Sequence, residues 1–147
     1  ADGIRQFGSD VAADLRELWR RLVFSLLASN YDDHLRNHGF LMRQPGRWSL
    51  SPAYDLNPVP EMDRVGLSKT AIAEDQLEPS IASALAVAQR FGLKTVESKA
   101  NLREVFTAVI GWRKAGRRLP LKASTLEAYA SAFEHSLMDE TRHLLGR

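Results

Sequence analysis

The sequence predicts a mainly α-helical domain that carries one short β-hairpin and one Pro-rich loop. Three observations predict it: apolar residues recur at helical spacing near the N-terminus and again from residue 80 onward, a Pro-Gly dipeptide separates two short strand-like runs, and Pro52, Pro58 and Pro60 crowd a single stretch. With 147 residues and 44% hydrophobic content the chain holds material for one core, so 1–147 is expected to form a single domain. No internal repeat and no linker interrupts it.

The elements follow in chain order. Val11, Leu15, Leu18, Trp19, Leu22, Val23, Leu26 and Leu27 form a broad apolar stripe with Arg and Glu between its members, which predicts a helix over 10–28. Next, "GFLMRQ" and "RWSLS" flank "PG", predicting a hairpin over roughly 39–51. In "SPAYDLNPVPEMDR" the prolines forbid both helix interior and central strand, so this is an extended loop. Ile81, Ala84, Leu85, Ala88 and Phe91 predict a further helix that Gly92 terminates. A stripe from Leu102 to Trp112 predicts another, ending near Gly116. The last helix is expected to open on Ser124 and Glu127, which stand in capping-box spacing, and to continue through Phe133 to Leu137. Four helices around a hairpin and a rigid loop are the expected architecture.

Composition excludes several classes. There is no cysteine, which removes thiol catalysis, cysteine zinc sites and disulfides, and fits a cytoplasmic location. The N-terminus, "ADGIRQFGSD", has no apolar signal region and no initiator methionine, so a fragment of a longer protein is expected. The most apolar stretch, 11–29, contains Asp14, Arg16, Glu17, Arg20 and Arg21, charges that lipid would not tolerate; no membrane association is expected. The formal charge is +2, and the basic run "WRKAGRRL" reads as a solvated helix end, not as a nucleic-acid surface.

Polar chemistry concentrates in "NYDDHLRN", directly after the first helix, and in "AYDLNP", directly after the hairpin. Asp and Asn at a helix end can be simple acceptors for local backbone. Their order, however, has a chemical reading. Phosphoryl transfer asks for a carboxylate that orients the attacking hydroxyl and for hard oxygen ligands that hold Mg²⁺ against nucleotide phosphates. The protein-kinase catalytic loop has an Asp five residues before an Asn, then a hairpin, then a metal-binding Asp. Asp32, Asn37 and Asp55 repeat that order and that step, whereas Asp33 stands four before Asn37. His34 and His38 could be taken for a zinc pair, but that pairing needs one helix face and this stretch enters a strand.

"NYDDHLRNHGFL" followed by "WSLSPAYDL" resembles the C-terminal signature of HipA-type serine/threonine kinases, the toxins of bacterial toxin–antitoxin pairs, and "AVAQRFGL" with its following Trp is similar to that family's helical ending. The resemblance covers most of the chain. It implies the helical C-lobe of a protein-kinase-like fold, with the Pro-rich loop binding metal, and ATP and Mg²⁺ as co-substrate and cofactor. It further implies Asp32 as catalytic base and Asn37 and Asp55 as the metal- and nucleotide-binding pair. His34 would steady the loop, Pro52 and Tyr54 would aim Asp55, Trp48 would pack under the cleft, and Arg36 faces either phosphate or solvent. The implied partners are a protein substrate of translation-factor type, such as a tRNA-charging synthetase, and a DNA-binding antitoxin, with self-association left open. A glycine-rich phosphate loop and a strand lysine do not occur in this chain. An N-terminal lobe would therefore precede residue 1, and 1–147 alone is expected to be inactive. The alternative expectation is a non-catalytic helical module that docks an antitoxin or a partner lobe.

Overall fold

The computed structural model describes residues 1–64 and 79–146. Among the described residues, eight helices, α1 (Asp2–Phe7), α2 (Val11–Leu27), α3 (Ile81–Ala86), α4 (Thr95–Val109), α5 (Trp112–Gly116), α6 (Ala123–Ala128), α7 (Ala130–Phe133) and α8 (Ser136–Leu144), accompany a hairpin of β1 (Phe40–Gln44) and β2 (Arg47–Leu50). The described residues are mainly helical with one two-stranded antiparallel sheet, as the sequence predicts. Among the described residues, no helix is long and apolar enough to cross a membrane.

Helix α2 forms where the apolar stripe demands it. Asp10 caps it, its carboxylate accepting the Ala13 N–H at 3.1 Å. Leu15, Trp19, Val23 and Leu27, four residues apart, turn inward and are buried. Trp19 is 1% exposed, so its indole N–H needs a partner, and it donates to the Ala84 carbonyl at 3.0 Å. Around this face α3, α4 and α8 contribute Ile81, Leu102, Phe106, Val109 and Met138 to one core.

The later helices are more broken than their apolar spacing predicts. Gly92, at φ +72°, ends the 81–91 segment as expected, but that segment is α3 followed by a 3₁₀ turn, Ala88–Phe91. The first turn of α3 is capped from across the core: Glu140 of α8 accepts the Ile81 N–H at 3.1 Å and the Ala82 N–H at 2.9 Å. The helix expected to end near Gly116 breaks at Ile110–Gly111 into α4 and α5, which lets Trp112 stack on Phe133 with ring centroids 4.8 Å apart. The expected final helix is three pieces, and Ser124 is not its cap, because α6 starts at Ala123. Glu127 does not reach back to close a capping box. With Glu134 it is held by Arg113, at 2.9 Å and 2.6 Å, and a charge-assisted pair outcompetes the local cap.

The hairpin pairs Phe40 with Leu50, Leu41 with Ser49 and Met42 with Trp48, and turns at Pro45–Gly46, where Gly46 takes φ +73°. Two charges of α2 that look like surface residues in the sequence are buried against its exit. The Asp14 carboxylate accepts the Leu50 N–H at 3.1 Å, and Arg21 Nη2 donates to the Ser51 carbonyl at 2.6 Å while Glu17 holds its Nε at 2.9 Å. Trp48 is 38% exposed, and its carbonyl accepts the Ser9 N–H at 2.7 Å. From Ser51 to Pro60 the chain has no regular element, as the prolines require.

His135, at the head of α8, places Nε2 3.1 Å from the Leu27 carbonyl at the end of α2. Burial holds its pKa below the ordinary imidazole value, although the Leu27 bond opposes that shift. A histidine kept neutral by folding is protonated more readily in the unfolded chain, so stability should fall as pH drops below about 6.5. Urea denaturation between neutral and mildly acidic pH should show that slope, and His135→Gln should flatten it; an unchanged slope in the variant would exclude His135 as its source.

Candidate active site

The site is built from two loops, one leaving α2 and one leaving β2. At the end of α2, Ser29 adopts φ +50° and turns the chain, and Asn30 folds back so that its N–H donates to the Ser25 carbonyl at 2.8 Å. Asp32 then lies exposed in the following turn, whereas Asp33 is buried, 3.2 Å from His38 Nε2. The 3₁₀ turn Leu35–Asn37 places Asn37 inside, 5% exposed.

The second loop meets the first at Asp55. The Asn37 Nδ2 donates to Asp55 Oδ2 at 2.8 Å, and Asn57 Nδ2 donates to Asp55 Oδ1 at 2.6 Å, so both carboxylate oxygens are oriented. Asp55 itself adopts φ +57°, a left-handed conformation uncommon for a residue with a side chain and more readily taken by Asp and Asn. The Tyr54 hydroxyl donates to the Arg36 carbonyl at 2.7 Å, and the Ser51 N–H to the Gly39 carbonyl at 2.8 Å. Packing at Gly39 is tight: a Cβ there would lie 3.1 Å from both the Tyr54 hydroxyl and Ser51 Oγ. Farther along, the Val59 N–H donates to the Ser29 carbonyl at 3.1 Å. Arg64 donates to Ser29 Oγ at 3.1 Å and to the Ser131 carbonyl at 2.8 Å, with its guanidinium over the Tyr31 ring at 4.8 Å. Behind the first loop is a recess of about 170 Å³, bounded by Asn30, Asp33, Arg64 and His135.

Of the three residues singled out by sequence, Asn37 and Asp55 are in direct contact, 18 positions apart in the chain, and Asp32 is at the surface of the same loop as Asn37. His34, expected to steady the loop by bonding backbone, has its Nδ1 buried without a hydrogen-bond partner among the described residues, whereas His38 stands 3.2 Å from Asp33. Arg36 is exposed, and its carbonyl is what the second loop uses. Asn57, Arg64 and the Asp33–His38 pair were missed by sequence reasoning. Asn57 had a signal, standing two residues after Asp55 before a proline, where Asx side chains bond locally. The other two depend on long-range packing.

The donor chemistry is hard oxygen. Among the described residues, no group of three His, Cys, Asp or Glu gathers as a metal cage. A carboxylate beside a side-chain amide is instead the partial set that Mg²⁺ accepts when phosphate oxygens and water complete its shell. Asp55 and Asn37 are the residues that could hold such an ion.

A family model described as the HipA-like C-terminal domain matches residues 1–112. The Sinorhizobium fredii protein Y4dM, which carries a provisional kinase name, is 31% identical over 135 residues, 83% of this chain and 32% of its own length. A Haemophilus influenzae protein with a similarly provisional kinase name is 36% identical over 62 residues, 40% of this chain and 18% of its own. The chain thus spans less than a third of the first of these relatives and less still of the second. No solved structure matches.

The left-handed backbone at Asp55 has a measurable consequence. Asp55→Ala and Asp55→Gly remove the same acceptors, but alanine keeps the steric cost of positive φ, about 1–2 kcal/mol, and glycine does not. Chemical denaturation should rank the glycine variant as the more stable, and the reverse order would contradict a strained Asp55.

Proposed function

Because this chain belongs to the HipA-like C-terminal domain family, we propose that it is the hydroxyl- and metal-positioning portion of an ATP- and Mg²⁺-dependent serine/threonine protein kinase. The observation that carries the proposal is the Asn37–Asp55 hydrogen bond, which draws the two sequence elements of kinase-like order into one place. In this reading Asp32, exposed at the loop surface, accepts a hydrogen bond from the substrate hydroxyl and takes its proton as phosphate is transferred. Its exposure suits a protein substrate, whose hydroxyl arrives from solvent. Asn37 and Asp55 would hold Mg²⁺, which when bound offsets the charge of the nucleotide phosphates.

The remaining contacts are read as preorganisation. Asn57 fixes one carboxylate oxygen of Asp55 and Asn37 the other, and Tyr54 ties the Asp55 loop to the Asp32 loop. Activity is proposed for the whole protein, since the matched stretch covers 32% of Y4dM. The substrate in this reading is a protein of translation-factor type, and a DNA-binding antitoxin restrains the kinase in the cytoplasm; these partners rest on the resemblance of the sequence to HipA-type toxins.

The test uses the full-length protein that contains these residues. Asp32→Asn should lower phosphate transfer from ATP by about 100-fold or more, while Glu104→Ala, on an exposed ion pair with Arg20, should leave it unchanged. Retention of activity in Asp32→Asn would refute the assignment, and absence of any Mg²⁺–ATP thermal shift in the unaltered protein would favour a non-catalytic docking module.

A further inference from the structure

On the side of the molecule formed by α5, α6 and their connection, an apolar groove is framed by Trp112, Leu126 and Phe133, with Leu119, Leu121 and Pro58 at its edges. Its volume is about 380 Å³. A cavity of about 150 Å³ accommodates benzene, so the groove has room for two large apolar side chains. Leu119 and Leu121 are 58% and 46% exposed, which means the groove is open to solvent and not part of the core. Open apolar surface rimmed by polar groups is how protein interaction sites present themselves.

The chain segment that supplies most of the groove's lining is basic in sequence. Between Val105 and Leu126 the chain has no acidic residue and has Arg113, Lys114, Arg117, Arg118 and Lys122. Arg113 is neutralised by Glu127 at 2.9 Å and Glu134 at 2.6 Å. Lys114, Arg117, Arg118 and Lys122 are exposed and form no ion pair among the described residues. We propose that this groove docks an acidic amphipathic helix of a partner protein, two apolar side chains of which enter beside Trp112 and Leu126 while its carboxylates meet Lys114, Arg117, Arg118 and Lys122, the exposed cations of the same segment. A second copy of this chain is a poor occupant, because facing grooves would bring two sets of those cations together. Nucleic acid would use the cations and leave the apolar floor wet. Most of the groove lies beyond residue 112, outside the stretch that the family model matches. Pro58 belongs to the loop that carries Asp55, three residues away, so an occupant of the groove also touches that loop.

A fluorescently labelled peptide of about 14 residues, with Leu and Phe at i, i+3, i+4 and i+7 and Glu or Asp elsewhere, is the probe, and anisotropy on the 147-residue chain is the readout. Saturable binding is expected. Arg117→Glu with Arg118→Glu, and separately Leu119→Ser with Leu121→Ser, should each weaken it by at least about tenfold. All four positions are exposed, and an unchanged thermal midpoint in each variant confirms folding. The same peptide with Lys replacing its acids should not compete. Lack of saturable binding, binding unaffected by both double variants, self-association relieved by the leucine variants without peptide binding, or capture of an oligonucleotide in place of the peptide would each overturn the proposal.

Discussion

Helix α2 sets the geometry of the site, because two of its side chains grip the hairpin at the point where the second site loop begins. Asp14 takes the Leu50 N–H and Arg21 the Ser51 carbonyl, and the same helix releases the first site loop at its C-terminal end. One rigid rod therefore determines where both loops start. The two clamps are buried, Asp14 at 9% and Arg21 at 5% exposure, so they act where dielectric screening is weak and where a lost partner would leave an uncompensated charge. Arg21 meets that condition through Ser51 and Glu17, although its Nη1 has no hydrogen-bond partner among the described residues.

From that frame the loops close on each other through short polar contacts. Tyr54 reaches the Arg36 carbonyl, Val59 the Ser29 carbonyl, and Asn37 the Asp55 carboxylate. Each is worth on the order of 1 kcal/mol by itself, and their value is that they bind the same two segments at several points. The left-handed Ser29 and Asp55 are held in that conformation by these neighbours. Such local strain, over-determined by surrounding contacts, is common where side chains must be aimed.

Sequence pattern revealed the parts of this arrangement that rest on periodicity or on proline and glycine chemistry. The α2 stripe from Leu15 to Leu27 repeats at helical spacing, Pro45–Gly46 marks the hairpin turn, and Pro52, Pro58 and Pro60 exclude regular structure in the second loop. The pairing of Asn37 with Asp55 was legible as order and spacing, though not as a hydrogen bond. What pattern could not reveal is competition between partners distant in sequence. Arg113 draws Glu127 away from a cap, Gly111 interrupts a stripe that otherwise continues, and Asp14 and Arg21 look solvated until the hairpin covers them. Helix α1 is too short to show a period, and tertiary contacts hold it: the Gly8 carbonyl accepts from Arg47 at 3.3 Å, and Arg5 donates to the Arg90 carbonyl.

The functional account reduces to whether these two loops present their oxygens to a single divalent ion. Mn²⁺ replaces Mg²⁺ at hard-oxygen sites and broadens the NMR signals of nearby nuclei even when binding is weak. Added at substoichiometric levels to isotopically labelled protein, Mn²⁺ should bleach the amides of Asp32, Asn37 and Asp55 together, ahead of the rest of the chain. Bleaching that begins elsewhere, or that reaches the Asp55 loop and spares the Asp32–Asn37 loop, would contradict a shared metal site.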